Sequence, residues 1–439
     1  MMAPTVQNGA LDGRVILRFA HAFESGGGTE RYLDDLDYTL LKRNAATVIR
    51  LHLTRQAPCR KPVEERIGQG RLIRTPLPIV PPREASGPSS EPGLGYRLKQ
   101  MARERVLYHP IVWRAFGSRW TSQLQIPLHP GQAIGAGSAA AEFLRQGPID
   151  LVMLHFFGGG DADELVQFAR TAGLPFAVLN HYSNDRFLHL TMRKHTMLAS
   201  GVAGVNALEV PAYAQKGFAN LSDGIDTEFF QRKHARPISE APAQPIVLLP
   251  ARVVREKGQM DLVRAAARLR QSGVECCLAF AGRVDASGFV DELRKEIAQA
   301  GLTERVKFLG DLDVETLRDW YAAAAVVAFP TYHHEGLGRV IVEAQAMQTP
   351  VVAYATGGVP EGIESGKTGY LLRTGDFDGL AARLRELLSS PDRAASLGAN
   401  GREAAETRFS LASLAERHER FYNRVIGDFS AARAKVSAS

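Results

Sequence analysis

The stretch HHEGLGRVIVEAQAMQTPVVAYATGGVPEGI, residues 333–363, decides the fold. It follows the apolar run VVAFP (326–330) and a Pro-Thr-Tyr turn, passes Gly336 and Gly338, and then shows helical spacing over about 339–348. Pro350 stops that helix, and PVVAYA (350–355) opens another continuous apolar run. A buried strand, a glycine-opened helix and a second buried strand are the unit from which parallel sheets are built.

The same alternation extends to both sides. IVLLPA (246–251), CLAFAG (277–282) and VKFLG (306–310) read as strands, with helices near 288–300 and 314–324. After Gly258, Leu262, Ala265, Ala266 and Leu269 share one helical face. Apolar strands interleaved with helices demand a sheet covered on both faces, hence a doubly wound α/β domain. VILRFA (15–20), AATVIRLHL (45–53), DLVMLH (150–155), PFAVLN (175–180) and GVAGVNA (201–207) repeat the theme less regularly and predict a second such domain. TPLPIVPPREASGPSSEPGLG, from residue 75 on, is too rich in Pro, Gly and Ser for a sheet and reads as a loop or insertion. The basic, aromatic stretch 96–116 reads as an amphipathic helix, packed on the first domain or laid against a membrane or acceptor. QRKHARPISEAPAQP (231–245) lacks periodicity and reads as the interdomain linker. A helix over 408–426 places Leu411, Leu414, His418 and Phe421 near one face.

Composition agrees with two globular domains. At 439 residues the chain exceeds what one core usually supports, and 45% apolar with 23% charged residues is ordinary globular usage. A net charge of +6 is too small to imply nucleic acid. Three cysteines show neither a disulfide framework nor metal-ligand spacing, which fits a reducing compartment. The start MMAPTVQNGALDGR lacks the features of a signal peptide, and no apolar window is long enough to span a bilayer. A cytoplasmic protein is expected, with membrane association left open.

The chemistry gathers around two of these strand ends. A helix opened by Gly336 and Gly338 exposes unpaired backbone N–H groups and the positive end of its dipole, a natural seat for a diphosphate. Glu335 lies in the loop before this helix and Glu343 is expected two turns inside it, both toward the carboxyl ends of the strands. ARVVREKG (251–258) adds Arg252 and Lys257 after another strand; taken alone, it is a solvated charge run. Three acid pairs, Asp35/Asp37, Asp161/Asp163 and Asp311/Asp313, have the spacing of a metal-holding D-x-D element. Asp163 and Asp313 each precede a helical pattern and read as N-caps, and the first pair falls within a helix, so no metal is expected.

Glu335 and Glu343, with GGVPE (357–361) after them, resemble the E-x7-E signature of the family 4 retaining glycosyltransferases, the family of sucrose synthase and the bacterial phosphatidylinositol mannosyltransferases. The resemblance covers almost all of 14–426. It implies the GT-B fold: two doubly wound Rossmann-like domains facing a cleft, with a C-terminal helix packing back toward the N-terminal domain. Residues 1–235, with an irregular 76–146 insertion, would bind the acceptor, 236–407 the nucleotide sugar, and 408–439 would form the helix and tail. By the same resemblance Glu335 contacts the donor sugar and Glu343 the ribose, while Arg252 and Lys257 hold the diphosphate. Gly336, Leu337 and Gly338 line the donor site, joined by Gly27 and Gly28 of SGGGTER (25–31), with Gly26 beside them. His181 in LNHYSND matches the active-site histidine, and His155 is a weaker second candidate. SDGID (222–226) resembles the interdomain NGVD element, with serine in place of asparagine. The implied activity is transfer of a hexosyl unit from a UDP- or GDP-linked sugar to a glycan or lipid-linked acceptor, in cell-envelope or exopolysaccharide biosynthesis, without cofactor, metal or nucleic acid. A non-catalytic nucleotide-sugar-binding subunit and an epimerase of the same architecture remain as alternatives.

Overall fold

The computed structural model describes residues 9–20, 28–54, 62–78, 135–155, 160–180, 195–207, 217–239, 241–284 and 288–437. The chain divides into two compact units. The first takes residues up to Gly204, Val210–Leu221 and Ala415–Ser439; the second takes Val205–Glu209 and Ser222–Leu414.

In the first unit, β1 (Val15–Ala20), β2 (Thr47–Thr54), β3 (Val63–Ile67), β4 (Gly70–Pro78), β5 (Leu151–His155), β6 (Phe176–Asn180), β7 (Gly201–Gly204) and β8 (Phe218–Asn220) form one sheet. Its order is β3-β4-β2-β1-β5-β6-β7-β8, parallel except for the β3–β4 hairpin. Helices α1 (Gly28–Arg43), α2 (Ala136–Gln146) and α3 (Gly160–Thr171) belong to this unit. Leu17, Phe19, Ile49, Leu51, Val152 and Leu154 build an apolar core with Ala140 of α2 and Leu165 of α3.

Arg18, between Leu17 and Phe19 on the alternating strand, therefore belongs to the opposite face, and it is fully buried. Its guanidinium pairs with Asp37 of α1 and donates to the Tyr422 hydroxyl at 2.9 Å, while Arg50 of β2 lies 3.4 Å from the other Asp37 oxygen. Tyr422 lies in the last helix, and so do His418, whose Nε2 is 2.8 Å from the Tyr32 hydroxyl, and Glu419, which accepts from Asn44 at 2.8 Å. A Cβ on Gly201 would strike Val425 and Phe421, so only a glycine lets the helix lie this close to β7. The expected packing of the C-terminal helix on the N-terminal unit is what the structure has, through residues from Ala415 on.

In the second unit, β9 (Ile246–Pro250), β10 (Cys277–Ala281), β11 (Val306–Gly310), β12 (Val326–Phe329), β13 (Val351–Tyr354) and β14 (Tyr370–Leu372) form an all-parallel sheet of order β11-β10-β9-β12-β13-β14. Helices α4 (Gln259–Gln271), α5 (Gly288–Gln299), α6 (Val314–Ala323), α7 (Arg339–Ala346), α8 (Val359–Gly362), α9 (Phe377–Ser389) and α10 (Pro391–Arg408) accompany it, and α11 (Leu411–Ser437) crosses into the first unit. Val247 and Leu249 join one apolar cluster with α4 and α5, whereas Leu248 joins another with α6 and α7. The strands are apolar throughout because both faces are covered.

Three sequence expectations change. The division between the units falls at Leu221/Ser222 rather than near 235, and at Leu414/Ala415 rather than 407/408. The 231–245 stretch is no free linker: Arg232 donates to the Met347 carbonyl at 2.7 Å and the Ala322 carbonyl at 2.9 Å, and Arg236 N–H to Asp319 at 3.0 Å. Its polarity serves helix ends of the second unit. The 76–146 region is regular at both described ends, where β4 runs to Pro78 and α2 fills Ala136–Gln146. Pro76 and Pro78 fit a strand because β3 pairs with β4 only as far as Arg74, leaving one side of the ladder to which their missing N–H groups owe no bond. The stretches 79–134 and 181–194, including the 96–116 pattern and His181, lie outside the described residues, as do Gly26 and Gly27.

Candidate active site

Strands β9 and β12 are neighbours, yet the chain leaves β9 toward β10 and β11 and leaves β12 toward β13 and β14. The loops after their carboxyl ends diverge, and this switch point is where open α/β sheets bind ligands. The loop after β9 carries Arg252 and Lys257; the loop after β12 carries Glu335.

Local chemistry holds these two loops against each other. Arg255–Lys257 forms a single 3-10 turn ending at Gly258, which has φ 79° and starts α4. A Cβ there would enter the carbonyl of Pro330, so the residue must be glycine both for its backbone and for the approach of the second loop. The Glu256 carbonyl accepts from Tyr332 N–H at 2.8 Å and the Thr331 hydroxyl at 3.2 Å. With the loops joined, Lys257 Nζ meets Glu335 Oε1 in an ion pair. The side chains are 13% and 20% exposed, so the pair is shielded but reachable. Arg252 is exposed, and its carbonyl is fixed by Gln259 Nε2 at 2.8 Å.

A third loop closes on the second. Gly358 N–H donates to the Glu335 carbonyl at 2.8 Å, and a Cβ on Gly358 would overlap the Gly336 carbonyl. Pro360 lies in the first turn of α8, and Glu361 accepts from Ala207 N–H. The GGVPE stretch therefore supports the backbone of Glu335 and Gly336. Helix α7 starts at Gly338, φ 80°, with no side-chain cap. Its uncapped start beside Glu335 presents partial positive charge.

The structure qualifies one donor-site expectation and corrects the depth of another. The Leu337 side chain is 2% exposed and packs in the core with Ile341, Val359 and Ile363, leaving only its backbone for a ligand. Glu343 lies one turn inside α7 rather than two, and is 2% exposed. Its carboxylate accepts the Tyr321 hydroxyl at 2.9 Å and lies 3.8 Å from Arg339 Nε. Arg339 also donates to Asp223 at 3.3 Å and the Gly224 carbonyl at 3.1 Å, tying the SDGID stretch to α7. Sequence reasoning missed Arg339. A cation at the first position of a helix opposes the dipole and needs acidic partners, which was the available signal.

The first unit has a matching switch point between β1 and β5. Gly28 begins α1 after the first, and Gly160 begins α3 after the second. His155, at the end of β5, is fully buried near the Tyr32 ring, with centroids 6.3 Å apart. Among the acid pairs, Asp37 belongs to the buried Arg18 network and Asp313 caps α6 by accepting from Thr316 N–H at 2.7 Å. Asp163 is not a cap: it lies inside the first turn of α3 and is 2.8 Å from Nε2 of the buried His195.

Solved structures share this architecture across nearly the whole chain. Sucrose-phosphate synthase from Thermosynechococcus elongatus superimposes with a TM-score of 0.67 at 21% identity, covering 94% of this chain and 99% of that one. Anabaena HepE in complex with UDP gives 0.63 at 18% identity, covering 93% and 98%. The fold is GT-B, in two parallel-sheet α/β units. Residues 230–404 match the family described as "Glycosyl transferases group 1". The GDP-mannose-dependent alpha-(1-6)-phosphatidylinositol monomannoside mannosyltransferase of Mycolicibacterium smegmatis is 34% identical over 197 residues, 42% of this chain and 51% of that protein. The D-inositol 3-phosphate glycosyltransferase of Nocardia farcinica is 37% identical over 202 residues, 45% and 44%. A lipopolysaccharide core biosynthesis mannosyltransferase of Rhizobium leguminosarum is 29% identical over 245 residues, 54% and 67%. The chain spans about half the length of the first two relatives.

Proposed function

We propose that this chain is a family 4 retaining glycosyltransferase of the E-x7-E type. It moves a hexosyl unit from a UDP- or GDP-linked sugar to a glycan or lipid-linked acceptor in cell-envelope or polysaccharide biosynthesis. The observation that carries the reading is the Lys257–Glu335 ion pair at the β9/β12 switch point, beside the uncapped start of α7. The named relatives add the donor class and the biosynthetic setting. Lys257, Arg252 and the α7 N–H groups hold the diphosphate, and Glu335, released from Lys257, accepts hydrogen bonds from sugar hydroxyls. Glu343 holds the ribose.

As the anomeric carbon–oxygen bond breaks, negative charge grows on the departing diphosphate, so fixed cations stabilise the transition state more than the bound donor. The acceptor hydroxyl attacks from the face the phosphate leaves, and its proton passes to the departing phosphate oxygen. Retention at the anomeric carbon follows. His181, Gly27 and Gly28 are proposed as further site residues on the family resemblance alone. The metal-independent reading is supported by the engagement of Asp37, Asp163 and Asp313 with Arg18, His195 and the α6 cap. The setting proposed for the enzyme is the cytoplasm, free or at a membrane surface. No helix among the described residues is long and apolar enough to cross a membrane.

Incubation with a panel of nucleotide sugars, with release of nucleoside diphosphate as readout, tests the reading. Lys257→Ala is expected to lower kcat/KM by roughly 10²–10³-fold, as for loss of one transition-state donor. Release by wild type that Lys257→Ala and Glu335→Ala leave unchanged sinks the assignment, and a product of inverted configuration by NMR sinks retention.

A further inference from the structure

One carboxylate connects the three loops of the donor site. Asp261, in the first turn of α4, is 6% exposed. Its Oδ2 accepts the Tyr332 hydroxyl at 2.6 Å and the Tyr354 hydroxyl at 2.7 Å. Asp261 follows Lys257 by about one helical turn. Tyr332 follows β12 on the way to Glu335, and Tyr354 ends β13 just before Gly357 and Gly358. Each loop bearing a candidate donor group is thus anchored to the same oxygen.

The hydroxyl bond fixes the tip of a Tyr332 side chain that is only partly packed. Its ring is 43% exposed and borders a surface cavity of about 720 Å³ lined also by Arg264 and Lys295. The Tyr332 and Tyr354 rings meet edge to face, 5.8 Å between centroids at 85°. Burial, reinforced by the Asp261 charge, pushes the Tyr332 hydroxyl up to about 12 and raises that of Tyr354 as well. Both stay protonated donors near neutral pH. A buried carboxylate is a costly way to hold a helix start if stability alone is at stake, since an apolar side chain fills such space more cheaply. What a doubly hydrogen-bonded oxygen adds is direction.

We propose that Asp261 is a positioning residue for the donor site, setting the Lys257, Glu335 and Gly358 loops at the spacing a sugar diphosphate requires. This rests on the reading that Lys257 and Glu335 hold the donor. Displacement of such loops by about 1 Å is enough to cost on the order of 10²-fold in rate.

The test compares Asp261→Leu, Asp261→Asn and the Tyr332→Phe/Tyr354→Phe double variant with wild type and Lys257→Ala. GDP and UDP affinities are measured by calorimetry, and turnover of GDP-mannose and UDP-glucose is measured per folded molecule, well below each melting temperature. Asp261→Leu and the double variant are expected to weaken nucleotide binding about tenfold and lower kcat/KM about 10²-fold. Asp261→Asn, whose amide oxygen still accepts, retains most of both. A lowered melting temperature with unchanged affinity and kcat/KM in Asp261→Leu, or in the double variant should Asp261→Leu not fold, overturns the proposal. If Lys257→Ala is impaired while these variants are not, positioning alone fails; if Lys257→Ala is also unimpaired, the donor-site reading fails with it.

Discussion

The two sheets solve the same problem with different chemistry. In the second unit both faces are apolar and every strand is parallel, so the core is complete within Ser222–Leu414 and the preceding Val205–Glu209. In the first unit both faces are also largely apolar, but one of them holds Arg18, Asp37 and Arg50 among buried Ile16, Val48, Leu151 and Met153, closed by Tyr422 and accompanied by the Tyr32–His418 contact. Hydrophobic burial tolerates small rearrangement, whereas buried charges demand each partner in place. The sheet of the first unit, with an ion pair between its central strand and α1, should accordingly be the more sensitive of the two sheets to loss of one buried charge.

The largest expected break in this comparison is Asp37→Ala, which strands the buried Arg18. A loss of about 3–5 kcal/mol is expected, seen by hydrogen exchange as early opening of β1 and β2 while β9 and β12 stay protected. Equal opening of both sheets contradicts the contrast. Gly258→Ala tests the second unit at its tightest point, where φ is 79° and the Pro330 carbonyl blocks a Cβ. A cost of about 1–3 kcal/mol is expected, together with loss of donor turnover as the β9 and β12 loops separate. Full activity in this variant shows that the loops need not touch.

The smallest effect is one of pH. The Thr316 backbone N–H, assisted by its hydroxyl, holds the Asp313 carboxyl below its ordinary value of 3.8. Its contribution to stability is therefore complete above about pH 4 and fades as pH falls through the depressed value. Asp313→Asn should flatten that part of the melting-temperature profile for the second unit alone; an unchanged slope removes the cap from the account.

Strands were legible wherever both neighbours and both faces are filled, as in IVLLP and CLAFA. The β3–β4 hairpin was not, because VEERI offers only one buried apolar residue, Ile67, and its register depends on a partner rather than on its own pattern. Glu335 was readable from a glycine-flanked loop after an apolar run, whereas Lys257 stood out only through the family resemblance; the structure joins the two. Glu343 was misread in depth, since spacing along a helix does not tell which of its buried neighbours carry polar groups. Asp163, Arg339 and Asp261 depend on partners far along the chain, such as His195, Asp223 and Tyr354, and no local pattern announces such pairs.

Tyr422 is separated from Arg18 by 404 positions, and the contacts of the closing helix with β1 and α1 span most of the chain, while that with β7 spans about half of it. A ribosome delivers β1 first and this helix last. The half of the protein that is born first must wait, its charged face uncovered, while the half born later assembles from almost contiguous sequence. Chaperone capture in that interval should favour the amino-terminal half of nascent chains.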